Sequence, residues 1–72
     1  MSFQAYLDNV EAKTGKSAEQ LRSLAIDKGL ADGKGLAPGV KATAVVDWLK
    51  GDFELGHGHA MSIVAYIKGK RD

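Results

Sequence analysis

Residues 55 to 61 read LGHGHAM, two histidines alternating with two glycines where an apolar, helix-like stretch begins. The first backbone N–H groups of an α-helix have no intrahelical partner, which makes a helix start a ready receptor for an anion. Gly56 and Gly58 would let a phosphate or carboxylate approach those amides closely, and His57 and His59 would add donors when protonated. These four residues form the candidate anion site. Lys41 and the basic stretch Lys68, Lys70 and Arg71, within KGKRD, are further cations that could meet phosphates.

Other chemistry asks for more than this stretch supplies. Two histidines two positions apart point in different directions on a regular helix, so a metal site needs another ligand from elsewhere. Asp52 and Glu54 are near in sequence, yet the spacing matches no familiar zinc pattern, and no metal or cofactor is expected. A histidine base wants a positioned nucleophile or an orienting carboxylate, and neither a Ser-His-Asp set nor a carboxylate pair stands out. The glycine-rich DGKG at 32 to 35 lacks the Gly-Lys-Ser/Thr ending of a phosphate loop and follows no strand. The structural alternative is that Gly56 and Gly58 shape a tight corner while one histidine caps or packs beside the helix.

The elements that must position these groups are short. Ser2 stands before Phe3, Tyr6, Leu7 and Val10, spaced to share one helical face, and the helix should run to about Thr14, with Gly15 as its stop. SAEQ at 17 to 20 is a capping-box pattern opening a second helix, whose inward stripe is Leu21, Leu24 and Ala25 and whose end is Gly29 followed by Leu30. Ile26 lies off that stripe. Residues 29 to 39, GLADGKGLAPG, hold four of the nine glycines and the one proline, and read as a loop pinned to the core by Leu30, Leu36 and Ala37. Ala42, Val45, Trp48 and Leu49 mark a third helix over about 41 to 50, with Gly51 as its stop and Trp48 as a core anchor. Ala60, Ile63, Val64 and Ile67 mark a fourth, from about His57 or Gly58 to Lys68. No stretch shows strand alternation. The expected fold is therefore all-α, a compact bundle of about four short helices with a glycine-rich loop between the second and third, forming a single domain over 1–72.

Composition agrees with a folded chain and narrows the partners. Hydrophobic content of 44% with 26% charge is far from the signature of disorder. Seventy-two residues allow one thin core, and without cysteine its stability must come from packing alone. No apolar run is long enough to span a bilayer and the start lacks the order of a secretory signal, so a cytoplasmic protein with no membrane partner is expected. Ten Lys and Arg against nine Asp and Glu give a net charge of +1, too little for a global field that draws in nucleic acid.

On SFQAYLDNVEAKTGKS, GVKATAVVDWLK and LGHGHAM the chain resembles, over nearly its whole length, a family of small bacterial proteins catalogued as domain of unknown function 4287. The resemblance implies a helical bacterial domain and nothing catalytic. Residues 17 to 49 are similar to the helix, extended loop and helix of SAP-type nucleic-acid modules, with Leu21, Leu24, Gly29, Leu30, Gly39, Lys41 and Ala42 in the matching roles. The connecting loop is longer than in such modules, and Asp27, Asp32 and Asp47 dilute the basic residues. LGHGHAM also resembles the glycine-flanked hairpin of helix-hairpin-helix modules, with Ala60 nearer the second glycine than their pattern has it. The expected function is a non-catalytic interaction module with a protein partner. The alternative is weak binding of a nucleic-acid backbone through the GHGH amides and the basic residues, and the third reading is a histidine-dependent metal site or enzyme.

Overall fold

Ser2 begins the first helix, its Oγ accepting from the Ala5 N–H at 3.1 Å. The computed structural model describes residues 2–71. Helix α1 spans Phe3–Thr14 and buries Leu7 and Val10, one turn apart on the same face. It stops where Gly15 turns left-handed at φ 74°, returning its N–H to the Glu11 carbonyl at 2.8 Å. Helix α2, Ala18–Asp27, opens on the expected capping box: the Gln20 N–H donates to Ser17 Oγ at 3.2 Å and the Ser17 N–H to Gln20 Oε1 at 2.8 Å. Leu21 and Ala25 are buried and Ile26 is exposed, as the stripe requires. The helix ends ahead of Gly29, which turns left-handed at φ 81°, with the Leu30 N–H reaching back to the Ala25 carbonyl and the Gly29 N–H to that of Ile26.

The connection that follows is more ordered than a plain loop. Strands β1, Ala31–Asp32, and β2, Gly35–Leu36, pair antiparallel, with Ala31 opposite Leu36 and Asp32 opposite Gly35. Asp32 Oδ1 accepts the Lys34 N–H at 2.7 Å and so fixes the turn from within. Strands of two residues are too short to show alternation, and the two residues that join them, Gly33 and Lys34, are not the Asn-Gly or Asp-Gly pair that signals a tight hairpin. Ala31 is buried, and Leu30 and Leu36 pack partly against the core, so these two of the three expected pinning residues act as expected, while Ala37 is not part of the core cluster.

Helix α3 covers Ala42–Phe53, running through the predicted stop at Gly51 by two residues. The extension sets Phe53 edge-on to Trp48, ring centroids 5.6 Å apart, and leads Leu55 into the core at 3% exposure. Tertiary packing outweighs the helix propensity of one glycine, about 1 kcal/mol. Trp48 itself is half-buried, with Lys28 Nζ 5.9 Å from its ring centroid. Glu54, at φ 57°, turns the chain, and Gly56 starts helix α4, His57–Ile67.

Helix α4 packs against all three other helices. Its Ala60, Ile63, Val64 and Ile67 join Leu7 and Val10 of α1, Leu21 and Ala25 of α2, and Val45, Val46 and Leu49 of α3 in one cluster. The fold is all-α with a two-stranded hairpin set between α2 and α3. No helix among the described residues is long and apolar enough to cross a membrane.

Candidate functional site

The glycine-histidine corner lies where the sequence places it, at the first turn of α4. Gly56 is the N-cap, no side chain among the described residues accepts from the first-turn amides, and no acidic residue stands in that turn. The amides of residues 57 to 59 therefore face outward with the positive end of the helix dipole behind them. The two histidines part company, as a 100° step per residue dictates. His57 is exposed, whereas His59 is mostly covered and meets the Tyr6 ring edge-on at 5.2 Å, its Nε2 buried without an acceptor among the described residues. A Cβ at Gly58 would stand 3.8 Å from Tyr6 Cε1, ordinary contact, so crowding does not demand this glycine.

The cations named with that corner are not brought to it. Lys68, Lys70 and Arg71 follow the other end of α4, and eleven residues at about 1.5 Å each separate the two ends by roughly 16 Å. Lys41 is the N-cap of α3, whose opposite end leads into the corner, a separation of roughly 18 Å over twelve residues. Lys70 Nζ sits 5.3 Å from the Phe3 ring centroid, and the Arg71 guanidinium lies 3.8 Å from the centroid of Tyr66. No group of three or more His, Cys, Asp or Glu side chains that could hold a metal ion occurs among the described residues.

Sequence reading missed a second site, a shallow cleft of about 320 Å³ between α1, the start of α2 and the far end of α4. Leu7 and Ala18 form its apolar floor. Gln4, Asp8 and Glu11 of α1, Ser17 and Glu19 at the start of α2, and Tyr66 and Arg71 at the far end of α4 line it. Positions 4, 8 and 11 share a face of α1, so the helix itself aligns two carboxylates. Gln4 Nε2 donates to Asp8 Oδ1 at 3.0 Å. Glu19 is held from two sides, Oε1 by Arg22 at 2.9 Å and Oε2 by the Tyr66 hydroxyl at 2.9 Å. The available signal was the acid pair Asp8 and Glu11, three apart on α1.

Burial raises the Tyr66 pKa above its ordinary value near 10, and the hydrogen bond to Glu19 and that carboxylate's charge raise it further, against Arg71 and Arg22. A pKa raised on folding means that the native state holds the phenol proton more tightly than the unfolded chain does. That stabilisation is complete below the unfolded value and is lost as pH rises through the folded one. The stability advantage of the wild type over Tyr66→Phe should therefore shrink from pH 8 to pH 11 in urea titrations. An advantage constant with pH would show that the hydroxyl is not so held.

A family model described as Domain of unknown function (DUF4287) matches residues 2–69. No curated protein and no solved structure matches the chain.

Proposed function

The chain belongs to the DUF4287 family, and we propose that it is a non-catalytic interaction module that takes a segment of a partner protein into the cleft between α1, α2 and α4. The observation that supports this reading is the cleft's construction. An apolar floor, Leu7 and Ala18, is surrounded by polar groups drawn from three helices, the core-and-rim pattern of recognition surfaces. A volume of about 320 Å³ suits one side chain and its flanking backbone. The rim offers acceptors and one guanidinium, and the proposed role asks no bond to be made or broken.

A second reading draws on the uncapped start of α4. Its open first-turn amides favour a phosphate, which makes weak, sequence-indifferent nucleic-acid binding the alternative. With Lys68, Lys70 and Arg71 a helix length away, the corner alone would neutralise about one or two phosphates, giving a shallow salt slope.

One amide chemical-shift experiment separates the two. The protein is titrated with capped Gly-X-Gly tripeptides, X being a cationic, anionic, aromatic or neutral residue, then with inorganic phosphate and a short oligonucleotide. Cleft binding moves Leu7, Asp8, Ala18 and Glu19 with at least one peptide and leaves residues 56 to 59 unchanged. Shifts confined to residues 56 to 59 with phosphate and oligonucleotide, weakening with salt, would replace the first reading by the second.

A further inference from the structure

The cleft is more acidic than its own contacts satisfy. Asp8, Glu11 and Glu19 line it against the single guanidinium of Arg71. Arg71 Nη1 donates to the Tyr66 and Lys70 carbonyls, both at 2.8 Å, and the ion pair on the rim is Arg22 with Glu19. Among the described residues the Glu11 carboxylate has no hydrogen-bond or ion-pair partner, and the Asp8 carboxylate accepts only from the neutral Gln4 amide. Two carboxylates three residues apart on one helix face repel each other, and a cation placed against both relieves that repulsion.

The position of Arg71 shows which cation fits. Its planar guanidinium lies over the Tyr66 ring at 3.8 Å, a stacking that a compact ammonium cannot reproduce. Tyr66 in turn is fixed by Glu19. The end of the cleft is thus an aromatic shelf with carboxylates in front of it.

Resting on the reading of the cleft as a partner site, we infer that its ligand is an arginine side chain within a partner's peptide segment, and that Arg71 occupies the shelf until that arginine displaces it. A capped peptide fits better than free arginine, whose α-carboxylate would face Asp8, Glu11 and Glu19. The apolar floor at Leu7 and Ala18 takes the aliphatic stem.

Arg71 is exposed, so Arg71→Ala removes the internal occupant without opening the core. Freeing a site from a competing stacked cation raises apparent affinity by the reciprocal of the fraction that was open before, here about two- to five-fold. The test titrates wild type and Arg71→Ala with capped Gly-Arg-Gly, Gly-Lys-Gly and Gly-citrulline-Gly and with free arginine, following the cleft amides. Expected are shifts at Asp8, Glu11 and Glu19, tightest for the arginine peptide, tighter by about two- to five-fold in Arg71→Ala, and weaker in Glu11→Gln. Lysine or citrulline peptides binding as well as arginine would overturn the guanidinium assignment while the cleft stands as a binding site. Free arginine binding as tightly would overturn the peptide partner, and unchanged or weaker binding by Arg71→Ala would overturn the displacement. Cleft amides unmoved by every peptide in both proteins would remove the cleft reading together with this one.

Discussion

Replacing Ile63 with alanine is expected to cost about 3 kcal/mol, within the roughly 2–5 kcal/mol range for truncating a fully buried aliphatic side chain. Ile63 is 0% exposed on the helix that packs against all three others, so the space it leaves has walls from several elements that cannot all close in at once. Stabilities of about 0.05–0.15 kcal/mol per residue put a chain of 72 residues near 4–11 kcal/mol. The substitution would remove a quarter to most of that, lowering Tm by roughly 10–20 °C for a domain of this size. Met61 supplies the control. Two residues earlier on α4 but 39% exposed, it should tolerate alanine within about 0.5 kcal/mol. Thermal and urea unfolding of the two variants would check the contrast, and equal losses would mean that α4 is not the central element.

The same asymmetry explains what was legible in the sequence. Leu7 and Val10, Leu21 and Ala25, Val45 and Leu49, and Ile63 and Ile67 repeat at three or four, and Ser2, Ser17, Gly15 and Gly29 mark boundaries by local chemistry, so four helices could be read without a partner surface. Features that apolar periodicity and capping residues do not encode were not legible. Gly51 signals a stop, and only the packing of Phe53 on Trp48 and the burial of Leu55 account for the helix running through it. The hairpin at 31 to 36 was hidden by the shortness of its strands.

The candidate sites divide along the same line. The Gly56–His59 corner is local, and its placement at a helix start followed from residues next to one another. One histidine packing beside the helix was the structural alternative, and His59 against Tyr6 is that arrangement. Joining Lys41 and the Lys68–Arg71 stretch to the corner needed distances that composition does not contain, and helix lengths keep them apart. The cleft draws on residues from Gln4 to Arg71, and each carboxylate in it looks, one at a time, like ordinary solvated surface.

Ala60 links the core to the corner and carries the second large stability effect. It is 0% exposed, immediately after the histidine that packs on Tyr6, so a side chain there cannot turn toward water without shifting α4. Ala60→Leu adds three carbons to a filled space, and overpacking of this kind costs about 1–3 kcal/mol. Relief is available by displacing the start of α4, which would part His59 from Tyr6, so the Tyr6 ring resonances should move along with the loss of stability. Ala60→Ser is the discriminating partner. Its hydroxyl adds little volume and can donate to the Gly56 carbonyl one turn back, as Ser62 Oγ does to Gly58 at 3.0 Å, so it should cost under about 1 kcal/mol and leave the Tyr6 signals in place. If serine proved as damaging as leucine, polarity rather than volume would govern this position, and the close packing inferred beneath the corner would be wrong.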